Sequence, residues 1–187
     1  MTDKPVPPRP GPGGRVARLA QILRVDHAGE LGAVHIYRGQ RMVMSAAGGK
    51  STLAGQLAEL EAQEAVHLAR FDTLLNENRS RPTLLAPLWR IAGFALGAGT
   101  ALLGERAIHV CTEAVETVIE GHYGSQIIEI QEREPVLAAE LAQFRDEELA
   151  HRDQAVDLGA HGAPSYALLA GVIRAGCRTA IKLAEHL

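Results

Sequence analysis

The 187-residue chain has few cysteines, few aromatic residues and little net charge, and each shortage argues against a class of protein. Its two cysteines, Cys111 and Cys177, form neither a Cys-x-x-Cys pair nor a disulfide framework, which favours a reducing, intracellular compartment. Aromatic residues make up only 4% of the chain, and the abundance of alanine, leucine, glutamate and arginine favours helices over sheets. A net charge of −3 gives no indication of nucleic-acid binding.

The N-terminal stretch also lacks the apolar segment of a secretory signal. It carries five prolines among its first twelve residues, and it is too short and too proline-rich for an amphipathic transit peptide. We therefore predict a disordered tail over residues 1–14, followed by a single helical domain over residues 15–187.

No segment alternates in polarity for long enough to be a strand. Apolar spacing and helix breakers predict five helices and a turn at 47–50; the helices cover residues 15–46, 52–79, 105–131, 136–159 and 165–186. The segment 83–104 is almost wholly apolar and long enough to span a bilayer. It contains Pro87, Arg90 and four glycines, and a central arginine is costly in a lone span. An interfacial or re-entrant helix therefore fits this segment at least as well.

Two of the predicted helices carry a glutamate and a histidine on an otherwise apolar face. Following spacings of three and four gives Leu137, Leu141, Phe144, Glu148, His151, Ala155 and Leu158 in one helix, and Leu53, Leu57, Leu60, Glu64, His67, Phe71 and Leu74 in another. Such a face normally packs inward. Three residues of helix separate the two polar side chains by ~4.5 Å along the axis, close enough to bind one ion. The repeated Glu-x-x-His pattern therefore predicts a buried metal site.

The two other long helices add carboxylates to their inward faces. The first offers Asp26 and Glu30, and the third offers Glu113, Glu116 and Glu120, among which spacing alone does not choose. Glu30 precedes Glu64 by 34 residues, and Glu116 precedes Glu148 by 32. The chain therefore resembles two related helix pairs about a pseudo-twofold axis.

One glutamate from each of two helices and Glu-x-x-His from each of two others are typical of ferritin-like di-iron and di-manganese proteins. Mixed carboxylate and imidazole ligands suit iron or manganese better than calcium or structural zinc. We predict an all-α, ferritin-like four-helix bundle with additional membrane-facing and C-terminal helices.

Four stretches of the sequence resemble the demethoxyubiquinone hydroxylase family, the di-iron monooxygenases of ubiquinone biosynthesis. They are RVDHAGELGA (24–33), QEAVH (63–67), CTEAVETVIEGHYGSQI (111–127) and FRDEELAHRD (144–153), and the apolar segment resembles the membrane-facing region of that family. The resemblance covers about residues 20–160. It implies that two iron ions are bound by Glu30, Glu64, His67, Glu116, Glu148 and His151.

The resemblance also implies the reaction, in which dioxygen and two electrons hydroxylate the ring of a polyprenyl methoxy-benzoquinone. NADH is one candidate electron donor, and the need for an accessory lipid-binding protein is left open. The family's members are peripheral membrane proteins, and the short N-terminus favours a bacterial member at the cytoplasmic side of the inner membrane.

Two residues near the predicted ligands have alternative interpretations. Tyr123 is a candidate catalytic residue that contacts substrate or relays electrons, and the alternative is a core tyrosine with a satisfied hydroxyl. Asp26 either orients a ligand histidine or has a capping or surface role.

Two rival functions compete with the hydroxylase. A ferritin-like or rubrerythrin-like ferroxidase or peroxidase would share the metal site, but the chain has no cysteine pairs for a rubredoxin-type iron, and segment 83–104 does not suit a soluble cage. A non-enzymatic membrane scaffold would give no reason for acidic residues on four inward faces.

The C-terminal helix carries Arg174, Arg178 and Lys182 at intervals of four residues beside apolar positions. A basic stripe of this kind suits an anionic membrane surface. We expect it to assist Trp89, Arg90 and the rest of segment 83–104 in membrane attachment. The alternative is a helix packed on the bundle with its charges in water.

Overall fold

The computed structural model describes residues 14–46 and 51–186, and within these ranges the regular elements are all helical. There are six α-helices: α1 (Gly14–Ala46), α2 (Ser51–Glu77), α3 (Ala86–Leu102), α4 (Glu105–Ile130), α5 (Pro135–Asp157) and α6 (Tyr166–His186). A short 3-10 helix, Ala160–Gly162, joins α5 to α6. The all-α prediction is confirmed. The predicted turn at 47–50 and residues 1–13 of the predicted tail lie outside the described residues, and Gly14 already belongs to α1.

The helix ends follow local sequence signals. Pro135 occupies the first turn of α5, where its missing N–H has no intrahelical acceptor to lose. Gly104 separates α3 from α4 with a φ of 105°, and Gly159 follows α5 with a φ of 96°. Both values lie in the region that a side chain disfavours, so glycine allows the chain to reverse direction there.

Helices α1, α2, α4 and α5 form the central bundle, with α1 packed on α2 and α4 packed on α5. These are the two helix pairs that the sequence repeat predicts. Helix α3 packs along α1, and α6 packs along α4 and α1. The bundle core is apolar at both ends: one cluster surrounds Phe71, Leu141 and Phe144, and another surrounds Leu53, Leu57 and Ile108. Leu158, which the spacing placed on an inward face, is exposed because it lies at the end of α5.

Helix α3 approaches α1 so closely that backbone touches backbone. A Cβ atom added to Gly93 would lie 2.6 Å from the carbonyl oxygen of Gly32, and one added to Gly97 would lie 2.8 Å from the carbonyl carbon of Ile36. Glycine is therefore required at both positions. In the described part of the chain, no helix has both the length and the apolarity needed to cross a membrane.

Candidate metal centre

The bundle brings all six predicted ligand residues together in its interior. Helix α1 supplies Glu30, α4 supplies Glu116, and α2 and α5 each supply a Glu-x-x-His pair; the pairs are Glu64 with His67, and Glu148 with His151. Every one of these side chains is buried, and Glu64, Glu116 and Glu148 are 0% exposed. Four carboxylates without solvent need compensating positive charge, because burying an uncompensated charge costs several kcal/mol.

The six residues form two overlapping groups that could each hold a metal ion. One group contains Glu30 and His67 together with Glu64 and Glu148, and the other contains Glu116 and His151 together with the same two glutamates; within each group the potential ligand atoms lie within 4.8 Å of one another. Glu64 and Glu148 therefore face both positions. This sharing is the arrangement expected of carboxylates that bridge two metal ions.

Several buried oxygen atoms of these glutamates have no hydrogen-bond partner in the protein. They are Glu30 Oε2, both carboxylate oxygens of Glu64, and Glu116 Oε2. Glu64 Oε1 lies 3.2 Å from His151 Nδ1, yet the two atoms are not hydrogen-bonded. Unpaired buried oxygens are rare in folded proteins, and divalent cations are the natural partners for carboxylates beside imidazole nitrogens. The donor set therefore fits a pair of divalent ions.

The pKa values of the clustered side chains reflect this crowding. Burial, together with the charge of Glu148, raises the pKa of Glu64 and of Glu116 well above the usual value. Glu148 responds in the opposite sense, because hydrogen bonds from His151 and His67 overcome its burial and lower its pKa to about 2. Burial likewise opposes the charged form of His67, but its hydrogen bond to Glu148 and the nearby carboxylate of Glu30 raise its pKa to about 11. The raised pKa values favour the protonated forms of Glu64 and Glu116, and metal binding would release those protons.

Two buried tyrosines bind Glu30 and Glu116, the two glutamates that each belong to only one of the ligand groups. The Tyr37 hydroxyl on α1 donates to Glu116 on α4 at 2.7 Å, and the Tyr123 hydroxyl on α4 donates to Glu30 on α1. Each tyrosine follows the glutamate of its own helix by seven residues and bonds to the glutamate of the other. Sequence reasoning singled out Tyr123 but not Tyr37. The equal seven-residue spacing was the signal that would have found it.

The outer nitrogens of the two histidines are also held. His67 Nε2 lies 2.6 Å from Glu147, and His151 Nε2 lies 2.7 Å from Gln63. The sequence interpretation did not assign either partner. Asp26, the residue considered for this task, instead accepts a hydrogen bond from the Gln126 amide at 2.7 Å and touches neither histidine.

The two other glutamates considered on α4 lie outside both groups. Glu113 is buried, but it is bound by Arg174 of α6 at 2.5 Å and by the Thr117 hydroxyl at 3.2 Å. Glu120 is partly exposed and lies 3.8 Å from Arg152. The choice of Glu116 among the three therefore agrees with the geometry.

An apolar cavity of about 360 Å³ lies between α1, α3, α4 and α6. Its inner wall includes Ala33 of α1 and Val115 of α4, and the latter directly precedes Glu116 in the chain. Its outer wall includes Ala92 and Val172, which are exposed, so the cavity opens to the surface. This volume lies within the range of small-molecule sites.

Exposed apolar side chains lie on α3 and α6, two of the helices that form this cavity, and on the N-terminal approach to α3. They are Leu84, Leu88, Ile91, Leu102, Leu168 and Val172. The predicted basic stripe on α6 is wrong in one respect, because Arg174 turns toward the bundle to pair with Glu113 and the Tyr166 hydroxyl. Arg178 and Lys182 are exposed.

The fold and the buried cluster together define a class, an all-α bundle with a carboxylate–histidine site that could hold metal. Residues 17–184 match the family described as Ubiquinone biosynthesis protein COQ7, and the chain belongs to that family. The chain is 49% identical over 178 residues to the 3-demethoxyubiquinol 3-hydroxylase of Rhodospirillum rubrum, a match that covers 95% of this chain and 82% of that protein.

Two eukaryotic relatives are also similar. The human protein named NADPH-dependent 3-demethoxyubiquinone 3-hydroxylase, mitochondrial, is 47% identical over 175 residues, covering 91% of this chain and 79% of the relative. The Saccharomyces cerevisiae 5-demethoxyubiquinone hydroxylase, mitochondrial, is 39% identical over 188 residues, covering 92% and 80%. The family resemblance noted from the four motifs is confirmed.

Proposed function

We propose that the protein is a dioxygen-dependent di-iron monooxygenase that hydroxylates the ring of a demethoxyubiquinone-type polyprenyl benzoquinone. The observation that carries this proposal is that the bundle combines a buried pair of overlapping Glu/His groups with an apolar cavity between α1 and α4, the helices that supply Glu30 and Glu116. A ferritin-like or rubrerythrin-like protein that only oxidises iron or reduces peroxide has no need of such a cavity. Membership of the COQ7 family supports the same reaction.

In this proposal Glu64 and Glu148, which belong to both groups of potential ligands, would help to hold each of two iron ions. Glu30 and His67 would complete the ligands of one ion, and Glu116 and His151 would complete those of the other. The four negative charges of the carboxylates balance the charge of two divalent cations. Bound iron supplies the redox chemistry with dioxygen that side chains cannot provide. The protein contributes fixed ligands and a site from which bulk water is excluded.

Tyr123 is proposed to act at the edge of this site. Its hydroxyl donates to Glu30, and burial raises its pKa well above the usual value, so it keeps its proton beside the glutamates. It therefore fixes the carboxylate of Glu30 as a neutral hydrogen-bond donor. Tyr37 holds Glu116 in the same manner.

The overall reaction requires that one oxygen atom of dioxygen replaces a ring hydrogen as a hydroxyl group. The other oxygen leaves as water, which consumes two electrons and two protons. A reduced nicotinamide is the proposed donor, in keeping with the NADPH dependence in the human relative's name. The cavity walls admit an apolar ring and the first part of an isoprenoid tail.

The substrate tail explains the exposed apolar side chains near the cavity. We place α3 and α6 against the cytoplasmic leaflet of a bacterial inner membrane, so that the quinone enters between them while its tail stays in lipid. Arg178 and Lys182 then lie on the helix that faces anionic headgroups. An accessory lipid-binding protein is an additional proposed partner.

Isotope labelling tests the reaction. The full-length protein, loaded with ferrous iron, is incubated with reductant, labelled dioxygen and a short-chain demethoxyquinone. We expect a product that is heavier by one labelled oxygen atom. Oxidation of iron without a hydroxylated quinone would instead support the ferroxidase alternative.

Vesicle flotation tests the membrane surface. Replacing Leu84, Leu88 and Ile91 by serine should release the protein from anionic vesicles while iron binding is retained. The control replaces Val66 and Val136 by serine, because these side chains are equally exposed on α2 and α5, away from the cavity. Flotation that is unchanged in the triple variant would rule out this surface.

A further inference from the structure

The Nε2 atom of each histidine contacts a residue on the helix of the other half of the bundle. Gln63 directly precedes Glu64 on α2, yet its amide oxygen lies 2.7 Å from His151 Nε2 on α5. Glu147 directly precedes Glu148 on α5, yet its carboxylate lies 2.6 Å from His67 Nε2 on α2. Each histidine therefore turns its Nδ1 atom to the glutamate cluster and its Nε2 atom to the residue that precedes the other helix's motif.

The two halves of the site match at the ligands and at the tyrosines. Glutamate corresponds to glutamate, histidine to histidine, and the Tyr37–Glu116 bond corresponds to the Tyr123–Glu30 bond. The outer partners break this match, because Gln63 is neutral and Glu147 carries a charge. The pseudo-twofold site therefore has two chemically different sides.

The difference in charge between Glu147 and Gln63 would act on a bound metal ion through the imidazole ring of each histidine. A carboxylate that accepts the N–H of a ligand histidine makes the opposite nitrogen a stronger donor to metal, and loss of such a partner typically weakens metal binding by about 10–100-fold. A bond to a charged acceptor is also roughly twice as strong as one to a neutral amide. Glu147 is 44% exposed and shares its second oxygen with Gln143, so water reduces the effect.

We propose that Glu147 and Gln63 are positioning residues that make the two metal positions inequivalent, with the ion on the His67 side bound more tightly and oxidised more readily than the ion on the His151 side. This inference rests on the proposed di-iron function. It adds that the His67 side fills first.

The test uses the full-length protein and exchanges the two partners. Glu147→Gln gives both histidines a neutral partner, Gln63→Glu gives both a charged one, and the double variant reverses the original order. Anaerobic titration with ferrous iron measures the two affinities, and Mössbauer spectra of the loaded protein show whether the two irons differ. Asp146→Asn is the matched control, because it removes the same charge from an exposed neighbour of Glu147 that pairs with Arg145 and not with a histidine.

We expect two distinct affinities and two Mössbauer doublets in the unaltered protein. Glu147→Gln should weaken the tighter position by about 10-fold and bring the doublets together, whereas Asp146→Asn should leave both unchanged. The double variant should again show two distinct positions, which a general loss of structure would not produce.

Two outcomes would overturn the inference. If the protein hydroxylates the quinone and binds two irons, but Glu147→Gln behaves like Asp146→Asn, the asymmetry is refuted and the proposed function stands. If the unaltered protein binds no iron at all, the proposed function fails and the inference fails with it.

Discussion

The substitution Gly97→Ala tests the packing of α3 on α1. The added Cβ would lie 2.8 Å from the carbonyl carbon and 2.9 Å from the Cα of Ile36, with the carbonyl oxygen closer still. These are backbone atoms, so no side-chain rotation relieves the overlap. Ordinary contacts between carbon atoms are about 3.5–4.0 Å, so the two helices must separate by roughly 1 Å. Overpacking of this kind costs about 1–3 kcal/mol.

Gly99→Ala is the matched control on the same helix. A Cβ at Gly99 meets no atom within 4 Å, so the substitution adds helix propensity without a clash. It should stabilise the protein by about 0.5–1 kcal/mol. The two variants make the same chemical change two residues apart, and the difference between their free energies of unfolding should be about 1.5–4 kcal/mol.

Urea unfolding followed by circular dichroism measures this difference. Gly97→Ala should also raise the KM for a short-chain quinone, because α3 supplies Trp89 and Leu96 to the cavity wall. Equal free energies of unfolding for the two variants would show that α3 does not lie against α1 as described.

Three further perturbations probe buried polar groups. Replacing Arg174 by methionine leaves the buried carboxylate of Glu113 without its partner and should cost about 3 kcal/mol in urea unfolding; an additional Glu113→Gln should recover most of that loss, and no recovery would contradict the pairing. Burial raises the pKa of Asp26 well above its usual 3.8. The folded state therefore retains a proton that the unfolded chain has lost, and this contribution to stability declines as pH rises toward the folded pKa. In the variant Asp26→Asn, the new side chain does not titrate and its oxygen still accepts the hydrogen bond from the Gln126 amide. The free energy of unfolding of this variant relative to wild type should therefore increase from pH 5 to pH 8. A difference that does not depend on pH would refute the raised pKa of Asp26. Tyr123→Phe removes the hydrogen-bond donor to Glu30 and should lower kcat about 10-fold or more while leaving the quinone KM nearly unchanged. An unaltered kcat would show that the hydroxyl of Tyr123 has no role in the reaction.

The sequence alone was sufficient to predict the long helices of the bundle and the two Glu-x-x-His pairs that lie in its interior. A helix repeats every 3.6 residues, so spacing along the chain fixes which side chains share a face. Glu64 and His67 stand out because their face is otherwise apolar, and Glu148 and His151 repeat the pattern. The repeat also predicted two helix pairs, because matching spacing in the two halves requires matching geometry.

Contacts between helices were decided only by the tertiary structure. Spacing left Glu113 and Glu116 equivalent, because both lie on the inward side of α4, and it is the approach of Arg174 from α6 that separates their surroundings. The crossed bonds of Gln63 and Glu147 join residues that are 88 and 80 positions apart in the chain, and no local pattern fixes such distances. Side-chain periodicity is a property of one helix, whereas partner choice depends on how two helices are rotated and offset against each other.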